Sequence, residues 1–375
     1  MGHQVTMITS WRTEPNGSRK SFTSQEGGMT IIWIPVLYSN HMDYFHRIIA
    51  FFKFMLLSFR VALKIESDLV FASSTPLTVA LPGIFASYFH KAPFVLEVRD
   101  LWPEIPIAIG ALNNPLMKSL AYGLEKYSYR NSRQIVALSD GMKAGIIKRG
   151  YPPEKITVVS NASDLDNFDP FKIDKVKYRI KYGIPNNSIV VLYPGTLGKV
   201  NGVTYLTKIA LKFFDDSRIA FVTVGDGQEF EKVRAEAESN GCLNHNFFMF
   251  HQISKAEIPL MFACADIVIS TIIPLVELEA NSANKFFDGL AAGCCIAINH
   301  KGWQSELITK HKCGITLSQD IDEAKAQLEE LIKRPERIHC AGRRARQVAE
   351  LCFDRNKLTK ILESVFTKAL DNGNN

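Results

Sequence analysis

Lys285 stands in a stretch whose residue types follow the order that a phosphate site needs. Residues 276–303 read VELEANSANKFFDGLAAGCCIAINHKGW. The polar run 280–284 is poor in helix formers and leads into an amphipathic turn with Phe286, Phe287 and Leu290. Ala291, Ala292 and Gly293 stop that turn in small residues, and 294–298 has the apolar run of a buried strand. A helix that begins near Asn284 brings backbone N–H groups, the Lys285 ammonium and the positive end of a helix dipole to one place. Such a place binds phosphate.

Three further stretches could do chemistry. YPGTLGKVNGV, residues 193–203, sets Gly195, Gly198 and Gly202 around Lys199, so that backbone can approach a phosphate closely. It lacks the Gly-Lys-Ser/Thr ending of a Walker A loop. VGDG, residues 224–227, places Gly225, Asp226 and Gly227 between a strand and a helix with paired charges, and also suits an ordinary strand-to-helix turn. EVRDLWPE, residues 97–104, puts Arg99, Asp100, Trp102 and Glu104 directly after a strand, where open parallel sheets hold their ligands. The same residues suit a solvated loop in which Trp102 and Pro103 cover the core.

The elements that must position these residues alternate short apolar runs with longer amphipathic segments, the pattern of strands joined by helical crossovers in parallel sheets. Strands are expected at 5–9, 30–34, 69–72, 94–98, 134–138 and 156–159, and in a second series at 188–193, 218–224, 247–250, 267–270, 294–298 and 314–317. The turn-rich segment NASDLDNFDP, 161–170, separates them. The predicted organisation is an α/β domain over 1–168, a second over 169–352 and a C-terminal segment over 353–375. The first domain opens as though on its second strand, so the expectation is a chain that begins late, without a first strand and helix.

Composition bounds the partners. With 375 residues, 46% apolar and 22% charged, the chain has the make-up of a globular protein with two full cores. Its net charge of +6 comes without a basic stretch interleaved with aromatics, which argues against nucleic acid. Seven Cys with no Cys-x-x-Cys argue against a disulfide frame or a zinc site and for a reducing compartment. No signal-peptide pattern opens the chain, so a cytoplasmic location is expected. Residues 1–168 carry 17 Lys and Arg against 13 Asp and Glu. Within them, 47–64 (RIIAFFKFMLLSFRVALK) contains no acid, and Lys53, Arg60 and Lys64 fall on one stripe of a helix that is otherwise apolar. That helix suits either a core position with snorkelling cations or the surface of an anionic membrane.

Taken in order, RDLWPE, VALSDGMKAGIIKRGYPPEKITVVSNASDLDNFDP, YPGTLGKVNGV, VGDG and SANKFFDGLAAG resemble the bacterial group 1 glycosyltransferases, glycosyltransferase family 4, over nearly the whole chain. Within that family the chain is most similar to lipopolysaccharide and capsule enzymes with an Asn-Lys-Phe-Phe-Asp donor motif, such as the L-fucosamine transferases of O-antigen synthesis. The resemblance implies the GT-B fold, two Rossmann-like domains facing across a cleft, with the C-terminal helix crossing back to the first domain. It also implies retaining transfer of a sugar, such as N-acetyl-L-fucosamine, from a nucleotide-diphosphate donor to an undecaprenyl-diphosphate-linked saccharide. The acceptor would be met at the cytoplasmic face of the inner membrane, with no cofactor and no obligatory metal.

Residue by residue, the resemblance makes Asp100, Lys199 and Lys285 the catalytic contacts. Donor binding falls to Gly195, Thr196, Asn201, Gly225, Asp226, Gly227, Ser282, Asn284 and Asp288, and the acceptor side to Arg99, Trp102 and Glu104. Asp288 aligns with the second Glu of the family's Glu-x7-Glu motif and would meet the ribose hydroxyls. The first Glu falls on Ala280, and the family's loop Arg and Lys fall on Thr196 and Asn201, so Lys199 would replace their charge. Asp164-Leu165-Asp166 spells a metal-holding Asp-x-Asp, but it lies in the turn-rich seam and no metal role is assigned to it. Two other functions suit the same architecture: a non-hydrolysing UDP-sugar 2-epimerase, and a non-catalytic partner subunit of a transferase.

Overall fold

The computed structural model describes residues 1–11, 20–39, 42, 44–74 and 76–371. Its strands are β1 (Thr6–Ser10), β2 (Phe22–Glu26), β3 (Met29–Ile34), β4 (Val70–Ser73), β5 (Phe94–Val98), β6 (Gln134–Ala137), β7 (Ile156–Val158), β8 (Ile189–Pro194), β9 (Ile219–Val224), β10 (Phe247–Phe250), β11 (Ile267–Ser270), β12 (Cys295–Ile298) and β13 (Gly314–Thr316). The chain divides into two compact units. One holds residues 1–138, 142–159 and the chain from Leu362 on; the other holds 139–141 and 160–361. The last helix, Arg355–Asp371, is divided between them at Leu362.

The first unit contains two sheets. β4-β5-β6-β7 lie in sequential order and are all parallel. β1-β3-β2 is mixed, because β2 runs antiparallel to β3. The sequence pattern misses β2, whose FTSQE is mostly polar, and with it the one antiparallel strand pair among the described residues. Its signal was the Gly27-Gly28 pair between Glu26 and Met29, with φ of 58° and 82°. Two positive-φ residues make the tight hairpin turn whose twist matches its strands. Helix Tyr44–Ala62 covers this sheet through Ala50, which packs with Ile34 and Val36.

The second unit is one parallel sheet in the order β10-β9-β8-β11-β12-β13. That is the doubly wound order in which the chain returns to the middle, so β8 and β11 are neighbours although 72 residues lie between Pro194 and Ile267. Loops leaving the carboxyl ends of these two strands diverge and leave a crevice. Helices cover both faces, and the strands are apolar on both. Val191, Tyr193, Phe221 and Ile269 point into one core, and Val190, Leu192, Val222 and Val268 into the other.

Candidate functional site

The crevice at β8 and β11 is where the glycine loops meet. After β8 the chain turns at Gly195 (φ 136°), and after β9 at Gly225 (φ 147°) and Gly227 (φ 157°). The two loops touch backbone to backbone. A Cβ on Gly225 would lie 2.0 Å from the Gly195 carbonyl oxygen, and one on Gly227 2.5 Å from that of Leu197. Leu197 N donates to Asp226 O at 3.1 Å and Glu229 N to Leu197 O at 2.8 Å. These glycines serve close approach of backbone to backbone as well as φ.

Asp226 sits within this layer. Its Oδ1 is 2.6 Å from His251 Nδ1, and its Oδ2 accepts from Gln252 N at 2.8 Å, tying the turn to the chain leaving β10. His251, stacked on Phe230 at 4.2 Å, is a partner that the sequence pattern does not reveal. Thr196 and Asn201 belong to the first loop. Thr196 O accepts from Tyr193 Oη (2.9 Å) and Asn201 Nδ2 (2.8 Å), and Asn201 O accepts from Thr271 Oγ1 at 2.6 Å. Lys199 is exposed on the short 3-10 turn Lys199–Asn201 of that loop.

Beyond β11 the chain crosses the sheet end and enters helix Asn284–Ala291. The loop before it is clamped from two sides. Asn281 O accepts from Trp303 Nε1 at 2.9 Å and Gln304 Nε2 at 3.3 Å, and Ser282 O accepts from Asn161 Nδ2 at 2.6 Å. Ala283 offers the helix no side-chain cap; Phe286 N donates to Ala283 O at 3.0 Å, and the N–H groups of exposed Asn284 and of Lys285 are left to solvent or an anion. Phe286, Phe287, Leu290 and Ala291 bury one face, and Gly289 lets the helix settle on the sheet, where a Cβ would meet Ile296 at 2.9 Å and Val268 at 3.0 Å. At the far end Arg346 Nη1 donates to the carbonyls of Ala291 (2.7 Å), Leu165 (3.0 Å) and Phe168 (3.3 Å). A cation among the last carbonyls also suits the helix dipole.

Lys285, half-buried, extends over the Gly195 loop, with its Nζ 3.7 Å from the centre of the Tyr193 ring. Burial draws its pKa down to about 7. Asp288, three residues on, reaches a different partner. Its Oδ1 accepts from Ser163 Oγ at 2.9 Å, and burial lifts its carboxyl to about 6 against the lowering effects of Ser163 and Arg355. His300, after β12, donates from Nδ1 to Lys301 O at 2.8 Å. Burial holds its ring below the usual pKa, and the nearby charge of Lys285 acts in the same direction. Burial thus works against charge on both Lys285 and His300.

The second unit thus brings Gly195, Thr196, Lys199, Asn201, Gly225, Asp226, Gly227, Ser282, Asn284, Lys285 and Asp288 to the carboxyl end of one sheet. Tyr193, Ser163, His300 and Arg346 were not singled out in the sequence. Ser163 and Tyr193 lie inside recognisable motifs, but nothing local says what they touch. Asp164 caps Asn167 N at 3.1 Å and accepts from Arg355 Nη1 at 3.0 Å, while Asp166 points to solvent.

In the first unit, Arg99, Asp100, Trp102 and Glu104 follow the carboxyl end of β5. Arg99 N donates to Ser74 Oγ at 3.0 Å, and Arg99 Nη1 lies 3.5 Å from Glu97 Oε2. Glu104 pairs with Arg149, which also bonds Glu125 Oε2 at 3.2 Å and lies over the Tyr122 ring. Burial pushes Glu125 up to about 7. Glu104 is thereby part of a packed ion cluster that braces the RDLWPE turn.

Comparisons with known proteins agree with this geometry. Residues 1–162 match the glycosyl transferase 4-like domain and residues 174–348 the glycosyl transferases group 1 domain. Among curated proteins, the chain is 22% identical over 261 residues to a protein of Escherichia coli (strain K12) that bears the name of a colanic acid biosynthesis glycosyl transferase, WcaI. That match covers 66% of this chain and 64% of the relative. It is 21% identical over 213 residues to the glycosyltransferase WbjE of Pseudomonas aeruginosa, covering 55% and 51%. The chain thus matches under two thirds of the length of each. Among solved structures, Anabaena Alr3699/HepE in complex with UDP and glucose superposes with a TM-score of 0.68 at 16% identity, covering 84% of this chain and 81% of that one. WaaG, a glycosyltransferase involved in lipopolysaccharide biosynthesis, gives 0.68 at 17%, covering 99% and 91%. Sucrose-phosphate synthase of Thermosynechococcus elongatus gives 0.76 at 13%, covering 98% and 89%. The chain thus carries a match to the glycosyl transferase 4-like domain followed by a match to the glycosyl transferases group 1 domain, and it has the two-domain GT-B fold of the solved structures it resembles.

Proposed function

We propose that the chain is a retaining, metal-independent glycosyltransferase of surface polysaccharide synthesis. It moves a sugar, an N-acetylated amino sugar such as N-acetyl-L-fucosamine, from a nucleoside diphosphate to an undecaprenyl-diphosphate-linked saccharide. The observation that carries this reading is Lys285 lying over the Gly195 loop beside an uncapped helix start, at the switch point of a doubly wound sheet. Departure of a nucleoside diphosphate leaves negative charge on its β-phosphate. Donors already fixed toward that charge lower the barrier without reorganising. Lys285, Lys199, the Gly195-Thr196 backbone and the first N–H groups of the helix are those donors, and Asp288 takes the ribose hydroxyls. Asp100, with Arg99 and Trp102, serves the acceptor.

Relatives support the class: one carries a colanic acid name, one similar fold serves lipopolysaccharide synthesis, and another was solved with UDP and glucose. A membrane-borne acceptor is supported by helix Tyr44–Ala62. There Phe45 (68% exposed), Ile49 (48%), Phe52 (48%) and Leu56 (62%) form one apolar ridge, flanked by exposed Lys53 and Arg60, with exposed Lys64 in the turn just past the helix. An apolar ridge with a basic flank is what an anionic bilayer surface attracts, which supports a peripheral position on the inner membrane. The test is calorimetry with a panel of nucleoside diphosphates, then Lys285→Ala. Wild type should bind at least one, and the variant should lose both binding and transfer while keeping its melting temperature. A folded wild type that binds none, or a variant with unchanged affinity, overturns the reading.

A further inference from the structure

The ammonium assigned above to the diphosphate is held by a ring and not by an acid. Lys285 Nζ lies 3.7 Å from the centre of the Tyr193 ring. Among the described residues no carboxylate pairs with this ammonium, and burial lowers its pKa. Tyr193 is fully buried near the end of β8, and its hydroxyl donates to Thr196 O at 2.9 Å, which leaves the ring one orientation. Gly195 clears the path for the lysine stem: a Cβ there would stand 3.3 Å from Lys285 Cε and 3.5 Å from Nζ. Tyr193 lies in the middle strand, and Lys285 begins a helix reached only after β11. The fold therefore makes this contact between residues 92 positions apart in the chain.

We propose that Tyr193 is the positioning residue for Lys285, holding its ammonium on the ring face with no opposing charge set beside it, so that the ammonium faces an anionic ligand without a competitor. A carboxylate could hold the same ammonium, but it would neutralise it and compete with a diphosphate for it. An aromatic face attracts a cation without adding an opposing charge. Gly195 is the second part of the device, because even a Cβ there would stand close against the lysine stem and crowd it. The inference rests on the donor role given to Lys285, but the position of the ammonium can be read without any nucleotide.

The experiment uses the full chain with lysines reductively methylated by 13C-formaldehyde, which keeps their charge. The Lys285 methyl resonance is identified by its absence in Lys285→Arg. In wild type it should lie upfield of the exposed lysines through the ring current of Tyr193. Tyr193→Phe should keep that shift and bind UDP within about twofold of wild type, whereas Tyr193→Leu should lose the shift and bind about tenfold more weakly. A Lys285 resonance among the exposed lysines in wild type overturns the proposal. So does a Tyr193→Phe variant that loses UDP as severely as Tyr193→Leu, since that would assign the effect to the hydroxyl. Should Tyr193→Leu fail to fold, the wild-type shift and the Phe variant still decide. A wild type that binds no nucleoside diphosphate but keeps the upfield resonance sinks the donor role of Lys285 and leaves its place on the ring established.

Discussion

Ser163 Oγ donates to Asp288 Oδ1 at 2.9 Å, fastening the chain that enters the second unit to the helix that carries Lys285. That single bond does not offset burial, which leaves the Asp288 carboxyl at about 6. Lys285 on the same helix stands at about 7. The carboxylate and the ammonium of the proposed donor site therefore both titrate close to neutrality.

Nucleotide affinity should follow both groups. It should rise as pH climbs through about 6, where Asp288 becomes the carboxylate that accepts ribose hydroxyls, and fall above about 7, where Lys285 loses its proton. Calorimetry from about pH 5 to about pH 9 would show the optimum. The ratio of wild type to variant removes the nucleotide's own titration: Asp288→Asn should flatten the acid limb and Lys285→Met the alkaline one. The stability signs are opposite to those of binding. With its pKa raised, Asp288 stabilises the fold when protonated and loses that contribution as pH rises from 3.8 to about 6. Lys285, lowered from 10.5, lets the unfolded chain hold the extra proton between about 7 and 10.5, so stability rises with pH there.

Arg346 should be worth more to the fold than its place on a long C-terminal helix suggests. Its Nη1 serves three carbonyls, one of them closing the Lys285 helix, while Nε bonds Glu350 at 2.7 Å. Arg346→Ala strands those acceptors and should cost about 2–3 kcal/mol by urea unfolding. Arg346→Lys should recover less than half, because an ammonium cannot reproduce the planar fork. Equal stability of wild type and the Ala variant would show that solvent replaces the guanidinium.

The exposed ridge of helix Tyr44–Ala62 should bind lipid. The neighbouring helix Ala80–His90 extends it with exposed Phe85, Tyr88 and Phe89, and the two helices meet through the Phe59 and Phe85 rings at 5.2 Å. Vesicles containing phosphatidylglycerol should sediment the wild type. Phe45→Ser combined with Phe52→Ser and Leu56→Ser should abolish this, and Lys53→Glu with Arg60→Glu and Lys64→Glu should weaken it in a salt-dependent way. Sedimentation that none of these changes alters would rule the surface out.

Much of the second unit is visible in the chain itself. The apolar runs that became β8 to β13 are bounded by glycine and charge within a few residues, and a strand of this kind is a local consequence of side-chain period and backbone preference. The glycine turns and the small-residue stop after Leu290 are local for the same reason. The pairing of β8 with β11 is not local. It follows from the doubly wound order, and from it comes the contact of Lys285 with Tyr193. Desolvation is likewise decided by what packs around a group, so titration near neutrality could not be read from the letters of Lys285 and Asp288. The acids show the same division. In the chain, Asp226 and Glu104 look alike as carboxylates after strands, yet Asp226 braces the glycine layer through His251 and Glu104 is taken up by Arg149. The sequence by itself determined which segments become strands and helices and which residue types end them, because those depend on neighbours in the chain. Only the tertiary structure decided which charges stay available for a ligand, because burial and partners come from segments tens to hundreds of residues away.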